Sequence, residues 1–372
     1  LGFNGAKFFG LLRSLVGIFL FGIQTYFLSK LLVYLIRILI FSIDNTLLDQ
    51  EIFLTFLLGL NIIDWISILL VIVFQTMLFS IGMQYNKKLI NYSAIIVYTG
   101  MIIFFLTVFL SDVKTTTQAF SNILNFENFL KQNNILPLIT VAGTIFAYFS
   151  IVIVSFGDFT RYVNNERDLT KGNLSLILNL IIFSFFSIAI VVGSDVFLNQ
   201  KFQDLDRIFT NPTDIIGKFD NLQITIVVLF FIIIASASTN LVANYIPSQY
   251  SLINFLPNKL NLKSASYTIS FLGLIVGIFW LTVLSQIGIL SFVDTFSCFF
   301  GPLFGVIIAD YYLIKNQTLS NKDLYSIENQ SAYYYSKGWH IKGTYSIILG
   351  FIFSASTIWN TNLMFLQSYA WI

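Results

Sequence analysis

Two primary amides interrupt otherwise apolar stretches of this sequence. Gln24 stands in the run LFGIQTY, and Asn244 lies just before Pro247. A primary amide carries both hydrogen-bond donors and an acceptor, which suits a planar ligand with amide-like edges. An unpartnered amide is costly away from water, so each side chain needs another helix or a ligand as its partner. For Asn244, a helix cap or an interhelical contact explains the residue about equally well.

Three small residues that follow an apolar run could contribute to a cation site. Ala235, Ser238 and Thr239 stand at i, i+3 and i+4 and therefore share one helix face. Their hydroxyls, with the backbone carbonyls left free, offer oxygen ligands for a small hard cation, although a second segment must supply the rest of the cage. Close helix packing and interhelical hydrogen bonds are the commoner use of such residues in membrane helices. The spacing alone leaves both interpretations open.

Aromatic and charged residues in the middle of the chain carry weaker signals. Tyr148 and Phe149, in GTIFAYFSIV, could offer a stacking surface, but 17% of the chain is aromatic and packing explains any single ring more simply. Asp158 and Arg161, in SFGDFTRYVNNERD, stand where an apolar run ends. A salt bridge and a helix-end cap at the membrane surface account for that pair.

The elements that must position these residues are membrane helices. The chain is 56% hydrophobic and 10% charged, with a mean hydropathy of +0.81, against about 25% charged residues in globular domains. Apolar runs near the roughly 20 residues needed to cross a bilayer recur without period-two alternation. An all-α polytopic membrane protein is predicted. Its expected spans are 8–28, 62–83, 92–110, 137–157, 173–196, 222–246, 265–285, 290–314 and 343–358, with a partial span from about 362.

Charged residues predict one further helix and the orientation of the chain in the membrane. Lys30, Arg37 and Asp44 are poorly spaced for a span, which predicts an additional interfacial helix within 29–61. Alternate loops, with the nearer helix ends, divide the charges into 13 Lys/Arg with 6 Asp/Glu on one side and 7 Lys/Arg with 12 Asp/Glu on the other. The positive-inside rule makes the first side cytoplasmic and starts residue 1 inside.

Several function classes are excluded by what the sequence contains. One cysteine, Cys298, and one histidine, His340, cannot build a disulfide framework or a Cys/His metal cluster. No catalytic constellation, Gly-rich phosphate loop or basic arm can be assigned. We therefore expect neither an enzyme nor a nucleic-acid binder, and no cofactor besides a coupling ion.

Four stretches together resemble one transporter family. The segment SFGDFTRYVNNERDLTKGN resembles the inner end of the sixth helix and the following loop of the nucleobase:cation symporter-1 family, whose signature is an Asp-Phe-Thr-Arg-Tyr run. GAKFFGLLRSLVGIFLFGIQTY is similar to that family's third helix and ASTNLVANYIPSQYSL to its eighth. FFGPLFGVIIADYYLIKNQ, with DLYS and KGWH, is similar to its tenth helix and the loop after it. The resemblance covers nearly the whole chain.

The resemblance implies a fold. Family members have twelve helices, ten of which form two inverted five-helix repeats around a mid-membrane site, the LeuT-like arrangement. On that plan the chain begins at the third helix, ends early in the twelfth, and is one transporter domain that is incomplete at both ends. Residues 1–110 would be the remainder of the first repeat, 137–314 the second repeat, and 315–372 a cytoplasmic loop with the C-terminal helices.

The resemblance also implies site residues. Gln24 and Asn244 fall on amides that contact substrate. Ala235, through its carbonyl, and Ser238 and Thr239, through their hydroxyls, fall on sodium ligands. Leu20 and Phe149 fall where hydantoin transporters carry stacking tryptophans, and Tyr148 falls on a glycine, so Tyr148 and Phe149 join the expected substrate pocket. Because ring stacking contributes about 1–3 kcal/mol, the substituted positions imply a shifted specificity.

The function implied by the resemblance is secondary transport. We expect uptake of a nucleobase or related ureide, such as uracil, cytosine, allantoin or hydantoin, coupled to Na⁺ or H⁺ by alternating access in the plasma membrane. Gln24 would lie on the scaffold side of the ligand and Phe149 on the bundle side. A monomer is expected, with a planar small molecule and membrane lipid as its partners. The alternative is a degenerate or truncated relative that does not transport.

Overall fold

Long helices account for most of the residues that the structure describes. The computed structural model describes residues 1–110, 112–123, 135–201, 215–218, 221–324, 326–360, 362–363 and 366. The α-helices are α1 (Phe3–Ile43), α2 (Glu51–Leu54), α3 (Ile62–Phe79), α4 (Met83–Phe109), α5 (Val113–Ile123), α6 (Ile135–Ile153), α7 (Gly157–Thr160), α8 (Glu166–Lys201), α9 (Leu222–Asn240), α10 (Ile246–Phe255), α11 (Leu262–Thr282), α12 (Ile289–Ile308), α13 (Asn321–Leu324) and α14 (Ile341–Trp359).

Nine of the helices within these described ranges are long and apolar enough to cross a membrane. Each of the nine full spans predicted from sequence overlaps one of them. Two spans are continued by π-helical turns, at Leu241–Tyr245 between α9 and α10 and at Ala309–Ile314 after α12. The partial span predicted from about 362 falls mostly outside the described residues.

Helix α1 is much longer than the predicted span 8–28, because residues 29–43, whose charges favoured a separate interfacial helix, continue it. Within the predicted stretch 29–61, a separate short helix is present at α2, Glu51–Leu54. The helix runs unbroken for 41 residues, about 60 Å at 1.5 Å per residue. Lys30, which argued against a span, extends its amine to within 2.7 Å of the Asp64 carboxylate at the start of α3. Asp64 also forms a capping box with Asn61. Because the charge is paired with the neighbouring helix, α1 can continue past it.

Helix α1 is the central packing element. It contacts α3, α9, α10 and α11, and its buried residues lie between Gly5 and Val33. Its crossing with α11 depends on three glycines: a Cβ on Gly22 would lie 2.5 Å from the Gly273 carbonyl oxygen, and one on Gly277 would lie 3.1 Å from the Gly22 carbonyl oxygen. Small residues let membrane helices approach closely in this way.

A second group of helices joins this core from one side. Helix α12 packs against both α6 and α14. The group meets α1 in a buried apolar cluster to which Ile151 of α6, Phe300 of α12 and Leu20 of α1 belong. On the other flank, α4 packs between α8 and α9. The inner faces of α1 and of the α9–α10 segment, between these flanks, carry the polar residues.

Candidate functional site

A break in the helix between α9 and α10 positions Asn244. The π-helical turn Leu241–Tyr245 is followed by Pro247 in the first turn of α10. Proline has no backbone N–H to donate to the carbonyl four residues earlier, and its ring crowds that carbonyl. The carbonyl in question belongs to Ala243, and it accepts a hydrogen bond of 2.7 Å from Nη2 of Arg13 on α1. The irregular turn is therefore held from outside by α1.

The two amides singled out from sequence are brought into direct contact. Asn244 Nδ2 donates to Gln24 Oε1 at 3.0 Å and also to Asn240 Oδ1 at 3.0 Å. Asn244 is 4% exposed, and Gln24 is half-buried. Residues 220 positions apart thus form one polar contact between α1 and the π-helical turn, in agreement with the expectation that each buried amide would find a partner on another helix.

A relay of polar side chains extends from this pair into the protein, and sequence reasoning missed it. Asn240 Nδ2 donates to the Phe21 carbonyl at 3.2 Å and lies 3.3 Å from Thr25 Oγ1. Thr25 in turn donates to Gln75 Oε1 at 2.9 Å, which reaches α3. Asn240 and Thr25 are fully buried. The i, i+4 spacing of Asn240 and Asn244, and the polar Gln75 inside an apolar span, were the signals that could have indicated this network.

The amide pair retains a hydrogen-bond donor group and an acceptor that could bind a ligand. Both N–H groups of Asn244 are taken, while its Oδ1 and the Gln24 Nε2 group have no hydrogen bond to any residue that the structure describes. The orientation of each amide follows from this hydrogen-bond network. The pair can therefore offer a ligand one acceptor and one donor from adjacent side chains.

The predicted cation ligands lie further toward the start of the same helix. Ser238 Oγ donates to the Ala235 carbonyl oxygen at 3.0 Å, so these two oxygens are adjacent. Ala235 and Ser238 are half-buried, and Thr239 is exposed. Helix α9 thus presents three oxygens on one open face, and the remaining ligands of a cation would have to come from elsewhere.

The predicted aromatic positions are not joined to the amides by any hydrogen bond or ring contact among the described residues. Tyr148 and Phe149 are half-buried and pack edge to face on each other, with ring centroids 5.6 Å apart. Leu20 is buried at 7% exposure in the cluster with Ile151 and Phe300. Leu20 therefore lies where α1 meets α6 and α12, and Tyr148 and Phe149 lie on α6 within three residues of Ile151.

The Asp-Phe-Thr-Arg-Tyr segment forms a cluster just after the C-terminal end of α6. The guanidinium of Arg161 lies 3.7 Å from the ring centroid of Tyr250 on α10, and the hydroxyls of Tyr162 and Tyr250 are hydrogen-bonded to each other. Arg161 Nη2 is 3.5 Å from Asp158 Oδ1. Burial raises the pKa of Asp158 to about 6, although the charges of Arg161 and Arg13 act in the opposite direction. The segment is therefore more than the local salt bridge expected from sequence.

A family profile described as the permease for cytosine/purines, uracil, thiamine and allantoin matches residues 1–370. The chain belongs to this permease family. Among curated members, it is 24% identical to the purine-uracil permease NCS1 of Arabidopsis thaliana, over 94% of the chain and 56% of the relative. It is 28% identical to the allantoin permease of Bacillus subtilis, over 61% of the chain and 44% of the relative. The chain spans about half the length of these relatives.

Solved structures agree with this family assignment. All of the chain superposes on 74% of Mhp1, a nucleobase-cation-symport-1 family transporter in a closed conformation with bromovinylhydantoin bound, with a TM-score of 0.66 and 19% identity. The inward-facing conformation of Mhp1 gives a TM-score of 0.59 at 18% identity. The predicted fold class, an all-α polytopic LeuT-like transporter fold, is confirmed, and the permease family confirms the prediction of a transporter rather than an enzyme.

Proposed function

We propose that this permease carries out cation-coupled uptake of a nucleobase or related ureide. The observation that carries the proposal is the Gln24–Asn244 pair, in which two helices bring amides together while one donor and one acceptor stay unused. The relatives named for purine, uracil and allantoin support the same class of substrate.

The chemistry of the unused groups matches one edge of such substrates. Uracil, allantoin and hydantoin each carry an N–H next to a C=O in a planar ring. Gln24 Nε2 can donate to that carbonyl and Asn244 Oδ1 can accept from that N–H. Because each buried polar group left unpaired costs about 1–3 kcal/mol, a ligand lacking either group would bind poorly. Tyr148 and Phe149 of α6 would select the rings that fit against the pair.

Ala235, Ser238 and Thr239 would supply part of a Na⁺ site. The hydroxyl of Ser238 would turn its hydrogen away from the Ala235 carbonyl, so that both oxygens face the ion. The site shares one helix with Asn240 and Asn244, so binding of the ion and the ordering of the π-helical turn can be coupled. By linkage, ion and substrate then raise each other's affinity by the same factor. In the alternative form of the proposal, uptake is coupled to H⁺ instead of Na⁺.

Uptake measurements test this function. The complete reading frame that contains the chain would be expressed in cells, and uptake of radiolabelled uracil, cytosine, allantoin and hydantoin measured with and without Na⁺. We expect Na⁺-dependent uptake of at least one compound, lost in Thr239→Ala and retained in Thr268→Ala, whose hydroxyl bonds only its own helix. Uptake that is independent of Na⁺ and dependent on pH would favour proton coupling. No uptake by protein that reaches the membrane would favour the non-transporting alternative.

A further inference from the structure

Arg13 is a buried charge that the proposed transport site does not use. It lies on α1 within a membrane-spanning helix and is 1% exposed. A charged residue at such a depth is expensive and generally has a function. Arg13 forms no salt bridge to any residue that the structure describes. Its single hydrogen bond runs to the Ala243 carbonyl, while its Nε and Nη1 atoms are buried without a partner in the described part of the chain.

Arg13 contacts the backbone carbonyl that Pro247 leaves without a helical hydrogen-bond donor. The Ala243 carbonyl is four residues before Pro247, so it cannot receive the usual helical N–H. Arg13 Nη2 supplies the missing donor at 2.7 Å. A guanidinium holds its donors in a fixed planar fork, which makes it better suited than an ammonium group to fixing the direction of a carbonyl.

The surrounding contacts bind the same turn to α1. Ser14 Oγ donates to the Ser248 carbonyl at 3.1 Å, and Ser248 Oγ donates to the Asn244 carbonyl at 2.6 Å. A Cβ on Gly17 would lie 2.0 Å from Ser248 Oγ and 2.7 Å from Arg13 Nη1. Arg13, Ser14 and Gly17 of α1 therefore form one contact surface for the irregular turn, and Arg13 is the charged residue among the three.

We propose that Arg13 is a positioning residue for substrate binding: by replacing the hydrogen bond that Pro247 cannot make, it fixes the π-helical turn so that the Asn244 amide faces Gln24. This inference rests on the proposed role of the amide pair in binding substrate. Arg13 itself lies about three helical turns from Gln24 on α1 and acts through the Ala243 carbonyl.

The test combines Arg13→Met with Pro247→Ala. Methionine keeps an unbranched chain but has no donor, whereas alanine at position 247 restores the backbone N–H for Ala243. In uptake of radiolabelled uracil and allantoin, we expect Arg13→Met to raise KM roughly tenfold, because one buried hydrogen bond is lost. The maximal uptake rate should change much less. Arg13→Lys should recover part of the loss. In the Pro247→Ala background, the effect of Arg13→Met on KM should largely disappear. The control is Arg37→Met in the otherwise wild-type protein. Arg37 is exposed on the same helix, so its replacement should leave KM unchanged.

A second readout needs no substrate. In a Cys298→Ser background, cysteines at positions 24 and 244 would be cross-linked by a short bis-maleimide, which adds one cysteine thiol across each of its double bonds. The yield would report whether the two positions face each other. Arg13→Met should lower the yield, and Pro247→Ala should restore it. If no compound enters cells, the proposed function fails while this yield still decides the inference. Yields that Arg13→Met leaves unchanged, or that Pro247→Ala does not restore, overturn it. If Arg13→Met protein does not reach the membrane, Arg13→Lys is tested by the same criterion.

Discussion

At the scale of single residues, the amide pair gives the most direct prediction. Gln24→Leu removes the Nε2 donor and leaves Asn244 Nδ2 without one of its two acceptors. The loss of a buried hydrogen bond costs about 1–3 kcal/mol, so KM for the transported compound should rise by roughly 5- to 150-fold. Uptake kinetics measure this. Gln84→Leu, at an exposed position, is the matched control, and equal KM values for the two variants would remove Gln24 from the binding site.

Asp158 predicts a pH dependence of stability. Its pKa is raised by burial to about 6, whereas a carboxyl in an unfolded chain titrates near 3.9. Between these values the folded protein holds the proton more tightly, so stability falls as the pH rises through the window and the penalty is fully present above pH 6. Asp158→Asn abolishes that slope.

Thermal unfolding of the purified protein in detergent at several pH values between 4.5 and 7.5 measures this effect. The wild type should lose stability relative to Asp158→Asn as the pH rises from about 4 to about 6. Asp168→Asn, at an exposed position nearby, should run parallel to the wild type. A difference between the wild type and Asp158→Asn that stays constant with pH would contradict the buried environment of this carboxyl.

The sequence indicated some site residues and hid others for identifiable reasons. Gln24 and Asn244 stood out because amides are rare in apolar runs, and their contact confirms that they need partners. Arg13 was missed because it was counted with the charges of the N-terminal side, although its position inside a span is itself a functional signal. Asn240 was missed because its i, i+4 spacing to Asn244 does not identify a partner, and only the neighbouring helix shows that it reaches Thr25.

At the scale of elements, the crossing of α1 and α11 predicts opposite effects for two glycines of one helix. A Cβ on Gly22 would lie 2.5 Å from a backbone carbonyl of α11, whereas one on Gly10 meets open space. Gly22→Ala should therefore destabilise the protein by about 1–3 kcal/mol through overpacking. Gly10→Ala should be neutral or stabilising by up to about 1 kcal/mol, because alanine is the better helix former. Unfolding midpoints in detergent compare them, and equal shifts would mean that the close crossing does not form.

Element boundaries show what a single sequence can and cannot specify. Apolar runs located the spans because bilayer crossing demands length and hydrophobicity. The extent of α1 was misjudged because Lys30 was read as a boundary, when Asp64 of α3 pairs with it. The π-helical turn was not predicted either, since it depends on Pro247 together with a donor 230 residues away.

At the scale of the whole molecule, two helix groups are connected at a few points. One group surrounds α1 with α3, α9, α10 and α11, and the other contains α6, α12 and α14. They share the apolar cluster around Leu20, and beyond the C-terminal end of α6 Arg161 stacks on Tyr250 of α10. The loop charges predict that this end of α6 is the inner, cytoplasmic one. Alternating access by rocking of one group against the other requires such a contact to form and break. The division into repeats at 1–110 and 137–314 stays a prediction.

This inner contact gives the last prediction, which concerns access to the site from the cytoplasmic side. A cation–π contact contributes about 0.5–2 kcal/mol, so Tyr250→Ala should shift the population toward an inner-open form by roughly 2- to 30-fold. In a Cys298→Ser background carrying Gln24→Cys, modification by a membrane-impermeant thiol reagent in inside-out vesicles should accelerate by that factor. Arg161→Ala should act like Tyr250→Ala, because it removes the other half of the same contact. Tyr267→Ala and Arg167→Ala, both at exposed positions, should leave the rate unchanged. If all four variants label at one rate, the Arg161–Tyr250 contact does not close the inner path, and that closure must come from the apolar cluster between α1 and α6 alone.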